Sequence, residues 1–117
     1  MAERTGEAGN QERALLTFLT TSIQEKEEII RQKEADLECP VCLEIPVAGA
    51  RIFSCTLQHL VCNNCWPRVS HSQCPVCRKR YPPTPIRHRY AERGVRELDT
   101  LNLEKIKLKR EKNKLEN

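Results

Sequence analysis

Seven cysteines and one histidine in the middle of the chain place the strongest limit on its fold. A disulfide framework has no use for the histidine, and an odd number of cysteines would leave one unpaired. Thiolate and imidazole are ligands that zinc favours, and eight ligands are enough for two tetrahedral sites. The ligands follow the order Cys39-x2-Cys42-x12-Cys55-x3-His59-x2-Cys62-x2-Cys65-x8-Cys74-x2-Cys77.

The composition also favours a metal. Of the 117 residues, 31% are charged and 4% are aromatic, so a conventional hydrophobic core is a poor candidate for holding the fold alone. The start, MAERTGEAGNQERALL, has no long apolar segment of the kind found in signal peptides. No run approaches the length of a membrane span. We therefore expect no membrane association and a cytoplasmic or nuclear location, where cysteine clusters more often bind metal than form disulfides.

Two pairings of the ligands fit the spacing. In a sequential pairing, the first four ligands hold one zinc and the last four hold the other, with only Leu60 and Val61 between the units. Pro46 then stands where a ββα finger usually carries its core aromatic residue. In an interleaved pairing, each zinc closes a long loop, which benefits a chain with so little core. The residues alone leave both pairings open.

Residues 39–78 resemble a RING finger. Three cysteines, then a histidine in fourth place, then four cysteines is the RING order, whereas a PHD finger has its histidine fifth. CPVC, HLVCNNC and CPVCR carry the match, and HLVCNNC…CPVCR is locally most similar to the seven-in-absentia type. Gln58 departs from the pattern, because many RING fingers have glycine before the histidine.

The resemblance implies a small zinc-stabilised α+β domain with a cross-brace and two structural zinc sites, flanked by N- and C-terminal helices. Both sites should be closed by four protein ligands, which disfavours a hydrolytic zinc enzyme. Site 1 would be formed by Cys39, Cys42, Cys62 and Cys65, and site 2 by Cys55, His59, Cys74 and Cys77.

The resemblance also implies a function, that of a RING-type E3 ubiquitin ligase. Such proteins bind a ubiquitin-charged conjugating enzyme (E2) and promote transfer of ubiquitin to a substrate lysine. Val41, Val69 and Pro75 would line the groove for the E2, with Leu43 and Ile45 in support. The alternative for the valines is that they fill a small core.

Arg78, directly after the last ligand, would be the catalytic linchpin that contacts ubiquitin and the E2 together. Its planar guanidinium can donate several hydrogen bonds at once, although a solvated charge is the alternative. With all seven cysteines assigned to zinc, none is free to carry ubiquitin covalently. Catalysis would have to come from positioning alone.

The chain divides into five predicted segments. They are residues 1–10, disordered; 11–38, an amphipathic helix and candidate coiled coil; 39–80, the RING finger; 81–85, a proline-rich linker; and 86–117, a basic helical tail. In the first helix, one row of apolar residues recurs every seven positions, but lysines stand where the second apolar row of a coiled coil should continue. The helix could pair with a helix of another chain, in a homo- or heterodimer, or pack on the zinc domain of its own chain, and the sequence leaves both open. The row is Leu16, Ile23, Ile30 and Leu37, and the interrupting residues are Lys26 and Lys33.

Other functions remain as alternatives. A non-catalytic RING adaptor would need a partner RING. The tail KIKLKREKNK could contact nucleic acid or direct nuclear import, but it lacks interleaved aromatic residues for base stacking, and a solvated helix face is favoured. His71 and His88 are expected at the surface, and the role of Trp66 is left open. The protein substrate cannot be read from the sequence.

Overall fold

The computed structural model describes the backbone of residues 2–116 and the side chains of residues 11–116. Three short strands and a single-turn helix stand between two long helices, which confirms the predicted small α+β class with flanking helices. The elements are α1 (Ala2–Leu37), β1 (Ile52–Ser54), β2 (Leu60–Cys62), α2 (Trp66–Val69), β3 (Ile86–Arg87) and α3 (Arg89–Glu116).

The strands form one antiparallel sheet in the order β2-β1-β3. β1 pairs with β2 through Phe53 opposite Val61, and with β3 through Phe53 opposite Arg87. Ile52 and Val61 are fully buried, as expected for β-branched residues in the middle of a small sheet.

The boundaries at the chain ends differ from the sequence prediction. α1 begins at Ala2, where disorder was expected over residues 1–10, and Met1 lies outside the described residues. The tail helix begins at Arg89 rather than at residue 86. Residues 86–87 form β3 instead, where β-branched Ile86 suits pairing with Ser54.

Residues 32–99 form one compact unit that contains the sheet. Leu37, at the end of α1, packs onto α3 at Gly94, where an added Cβ would lie 3.2 Å from Leu37 Cδ2. Lys33 Nζ lies 2.9 Å from Glu97 Oε2. The lysine that interrupts the heptad row here therefore pairs with a glutamate of α3.

Residues 2–31 and 100–116 belong to a second unit. The helices α1 and α3 run antiparallel, as the ion pairs from Lys33 to Glu97 and from Lys26 to Glu104 show. Ile23 and Ile30 of the heptad row are buried, and Lys26 Nζ lies 2.7 Å from Glu104 Oε2. The apolar row is therefore covered within the chain, while its use in a coiled coil with another chain stays a prediction. No helix in the described part of the chain is long and apolar enough to span a membrane.

Candidate metal centre

Site 1 assembles from the first and third ligand pairs. The sulfur atoms of Cys39, Cys42, Cys62 and Cys65 all lie within 4.8 Å of one another. Cys42 Sγ is 3.8 Å from Cys62 Sγ, which matches the edge of about 3.8 Å that a tetrahedron with Zn–S bonds of about 2.3 Å requires.

Site 2 assembles from the second and fourth pairs: Cys55, His59, Cys74 and Cys77, again within 4.8 Å of one another. His59 Nδ1 lies 3.2 Å from Cys55 Sγ and 3.7 Å from Cys74 Sγ. Cys77 Sγ lies 3.7 Å from Cys55 Sγ. The ligand pairs therefore interleave, and the sequential pairing is wrong. Only the first two residues of β2, Leu60 and Val61, separate His59 from Cys62, which ends the strand, so β2 braces the two sites.

The two CPVC segments fold in the same way. The residue after each segment, Leu43 or Arg78, has a positive φ of 61° or 62°. Its N–H donates to the carbonyl of the first cysteine over 2.8 Å, from Leu43 to Cys39 and from Arg78 to Cys74. The N–H of each first cysteine in turn donates to a carbonyl five residues further on, from Cys39 to Glu44 and from Cys74 to Lys79. Both segments thus present two thiols on a tight, hydrogen-bonded turn.

The turn between Cys55 and His59 has the same left-handed feature. Gln58 has φ 67°, the conformation that glycine adopts at no steric cost. Its N–H donates to the Cys55 carbonyl over 3.0 Å. The departure from glycine therefore leaves the turn intact and places backbone strain at Gln58.

Backbone donors prepare the first cysteine of each CPVC segment to be a thiolate. Burial by itself raises the pKa of Cys39, but hydrogen bonds from backbone groups, of which that from Cys62 has the largest effect, lower the pKa to about 7. Burial also raises the pKa of Cys74, but backbone hydrogen bonds from Cys77 and Val76 lower this pKa to about 7. By contrast, burial and neighbouring thiols raise the pKa of Cys65 to about 12.

The donor chemistry fits two structural zinc ions. Four thiols at site 1, and three thiols with one imidazole at site 2, are the donor sets of closed zinc sites. Five of the seven cysteines are buried, and within the described residues all seven belong to these clusters. Each site joins ligands from two distant parts of residues 39–77, so the metals would hold loops that the short strands alone could not.

The other predicted site residues are accessible at the surface. Val41 and Val69 are half-buried and Pro75 is exposed. Leu43, expected to support the groove, is 69% exposed, and Ile45 is half-buried. Arg78 is exposed. Neither valine is fully enclosed in a core.

Sequence reasoning missed several residues that hold the site in place. Trp66 stacks on Phe53 with ring centroids 4.7 Å apart, and meets Tyr81 edge-on at 4.8 Å. His88 is half-buried rather than at the surface: its Nδ1 accepts from the N–H of Ala91 at the start of α3, and its Nε2 lies 3.2 Å from the Gln58 carbonyl. His71 is exposed, as expected. The only sequence signal for the packing of Trp66 and Tyr81 was that each lies shortly after a zinc ligand, Trp66 after Cys65 and Tyr81 after Cys77.

Comparison with known proteins agrees with this geometry. No family model matches the chain. A stretch of 46 residues, 39% of the chain, is 41% identical to a protein of Ostreid herpesvirus 1 (isolate France) whose name describes a RING finger protein. The match covers 7% of that protein's length. Together with the interleaved ligand clusters, it fits a RING domain.

Proposed function

We propose that the chain is a RING-type E3 ubiquitin ligase that binds a ubiquitin-charged E2 and promotes direct transfer of ubiquitin to a substrate lysine. The observation that carries the proposal is the cross-braced pair of ligand clusters with an exposed arginine directly after the last ligand. The likeness to a RING finger protein over 46 residues supports it.

The E2 is proposed to dock on Val41, Val69 and Pro75. Val41 is the third residue of the first CPVC segment, Pro75 is the second residue of the last one, and Val69 ends α2. All three retain solvent-accessible apolar surface. Burying such surface against the loops of another protein is favourable, and the exposed Leu43 would extend the contact.

Arg78 is proposed as the catalytic linchpin. Its backbone lies in the left-handed region, where glycine would be the least strained residue. An arginine at this position adds nothing to the turn, since the hydrogen bond to Cys74 comes from the backbone N–H. Its exposed guanidinium is free to donate to carbonyl groups of the E2 and ubiquitin together. Holding the thioester conjugate in one geometry reduces the entropic barrier to attack by lysine.

The route is non-covalent. Every cysteine belongs to one of the two ligand clusters, so ubiquitin would pass from the E2 directly to the lysine. The zinc ions would have a structural role only, which is to hold the loops in fixed positions. The chain's own part is to bind the E2 through apolar contacts and to orient the conjugate through Arg78.

The partners are proposed in the same way: an E2, ubiquitin, and a protein substrate recruited by the helices or by a dimer partner. The proposal also includes a local similarity to the seven-in-absentia type and a cytoplasmic or nuclear location. Nucleic acid is not included, because the basic tail has no interleaved aromatic residues on which bases could stack.

A binding experiment tests the docking surface. Pro75→Asp places a charge at an exposed position and is expected to weaken binding of an E2 in a calorimetric titration at least tenfold. Pro83→Asp makes the same change at an exposed proline of the linker and serves as the control. Equal loss with both variants, or loss with neither, would contradict the proposed groove. An intact zinc-loaded chain that binds no E2 in a panel would favour the adaptor function.

A further inference from the structure

His88 is held by four hydrogen bonds that reach β1, α3 and the turn between the second pair of zinc ligands. Its backbone N–H donates to the Ile52 carbonyl over 2.8 Å, and its own carbonyl accepts from the N–H of Glu92 over 3.0 Å. In the side chain, Nδ1 lies 3.1 Å from the Ala91 nitrogen and Nε2 lies 3.2 Å from the Gln58 carbonyl oxygen. The imidazole ring is therefore fixed at the start of α3 and faces the turn.

These contacts determine which ring nitrogen of His88 carries the proton. The backbone N–H of Ala91 can only donate, so Nδ1 accepts from it and carries no proton itself. In the neutral ring the proton is then on Nε2. The carbonyl oxygen of Gln58 can only accept, so the Nε2–H group donates to it.

The Gln58 carbonyl belongs to the peptide group that precedes His59. The N–H of the same peptide group, on His59, donates to Cys55 Sγ over 3.4 Å. Because this peptide group is planar and trans, its C=O and its N–H point in opposite directions, one towards His88 and the other towards the sulfur. A hydrogen bond to the carbonyl polarises the N–H and strengthens the bond that it donates.

The turn between Cys55 and His59 has little packing of its own to hold it. The side chains of Thr56, Leu57 and Gln58 are all exposed. Gln58 also has its positive φ of 67°, a conformation that costs energy for a residue other than glycine. The orientation of the peptide group before His59 therefore needs a partner from outside the turn, and His88 provides one.

We propose that His88 is a positioning residue for site 2: its Nε2–H group holds the peptide group between Gln58 and His59, and the N–H of that peptide group orients the thiolate of Cys55. Outer partners of this kind fix the orientation of metal ligands and tune metal affinity. Since the same ring caps α3, the start of this helix and site 2 are coupled. The inference concerns the metal site and does not depend on ligase activity.

The substitutions His88→Asn and His88→Gln separate the two hydrogen bonds of the ring. The amide oxygen of asparagine can replace Nδ1 and keep the bond to Ala91, but this side chain is too short to reach Gln58. Glutamine extends as far as Nε2, so its amide N–H can donate to Gln58 while the cap on α3 is lost. In the whole 117-residue chain, His88→Asn is expected to hold one of two zinc ions roughly tenfold more weakly against a competing chelator. His88→Gln is expected to hold both ions close to the wild-type affinity.

Cobalt spectra identify the affected site. With Co²⁺ in place of zinc, the thiolate charge-transfer band of the site with three cysteines and one histidine should shift in His88→Asn, and that of the four-cysteine site should not. A role confined to the helix cap would instead lower the melting temperature most in His88→Gln and leave both bands unchanged. His71→Asn, at an exposed histidine, is the matched control.

Unchanged zinc transfer and an unchanged cobalt spectrum in His88→Asn would overturn the proposal, and so would equal weakening of zinc binding by both variants. Should neither variant fold, NMR of the ring nitrogens in the zinc-loaded wild type decides. We expect a neutral His88 ring with its proton on Nε2 at neutral pH. A proton on Nδ1, or a ring that exchanges between the two forms, would refute the hydrogen bond to Gln58.

Discussion

Arg87 binds the carboxylate of Glu92 through two hydrogen bonds, Nη2 to Oε1 at 2.6 Å and Nε to Oε2 at 3.1 Å. Glu92 is 9% exposed, and its Oε2 also accepts from the N–H of Ile52 over 3.2 Å. The hydrogen bonds from Arg87 lower the pKa of Glu92 against the opposing effect of burial. The carboxylate is therefore ionised at neutral pH, and it ties the first turn of α3 to β1 and β3.

Loss of this carboxylate should destabilise the domain. Glu92→Gln removes the charge and one acceptor oxygen, and we expect the free energy of unfolding to fall by about 2 kcal/mol at neutral pH. Chemical denaturation followed by the fluorescence of Trp66, the single tryptophan, measures it. Glu111→Gln, at an exposed position of the same helix, is the control.

A double-mutant cycle with Arg87→Gln assigns the effect to the pair. The two substitutions together should cost clearly less than the sum of their separate costs, because each leaves the same interaction broken. Additive costs would mean that Glu92 stabilises the domain through the Ile52 N–H alone.

The cross-brace predicts the metal content of variants at site 2. His59→Ala removes one of the four ligands of site 2, so we expect one zinc per chain in place of two and loss of ordered structure around site 2. His59→Cys restores a ligand with the charge of a thiolate and should keep two. Metal analysis after exhaustive dialysis gives the count.

The exposed His71 provides the control, since His71→Ala should keep both ions. Two tightly held zinc ions in the His59→Ala protein would contradict the assignment of site 2.

Gln58 should be a site where glycine stabilises the protein. A non-glycine residue in the left-handed region costs roughly 1–2 kcal/mol, and the greater freedom of unfolded glycine offsets roughly half of that gain. We expect Gln58→Gly to raise the free energy of unfolding by about 0.5–1 kcal/mol. The side chain is exposed, and the carbonyl that faces His88 remains.

Leu57→Gly, in the same turn but without a positive φ, should lower stability instead. If both glycine variants change stability in the same direction, backbone strain at Gln58 is not the cause.

Trp66 is expected to be a structural residue of the domain. Its stacking on Phe53 and its edge contact with Tyr81 would be lost in Trp66→Ala, with a cost of about 3 kcal/mol. Trp66→Phe should recover much of this. Thermal unfolding by circular dichroism measures both, with Phe18→Ala as a control because Phe18 is 64% exposed. A cost for Trp66→Ala no greater than for Phe18→Ala would refute the packing role.

The eight ligands were predictable from their residue types and their spacing, but the spacing alone left two pairings open. The RING order of ligands and the lack of room between His59 and Cys62 favoured the interleaved pairing that the structure has. The fold class followed from these ligands, since two metal sites are what a chain with so few aromatic residues can use in place of a core.

The contacts between elements were less predictable, because they join residues far apart in sequence. Lys26 reads as an interruption of an apolar row until Glu104 is placed beside it in the antiparallel helix. His88 gave no sign of capping α3, because the prediction began that helix at residue 86 and overlooked β3. A two-residue strand carries too short a pattern to be recognised before its partner strand is known.

The central proposal is that the zinc-ligating segment, residues 39–78, promotes ubiquitin transfer by positioning, with Arg78 as the linchpin. The most direct test is the discharge of a ubiquitin-charged E2 to free lysine, with wild type, Arg78→Ala and Lys79→Ala compared at equal zinc content. Lys79 is the neighbouring exposed cation and controls for the loss of charge. We predict that the wild type and Lys79→Ala accelerate discharge and that Arg78→Ala loses most of the acceleration while still binding the E2. No acceleration by the zinc-loaded wild type with any E2 of a broad panel, or full activity of Arg78→Ala, would contradict the account.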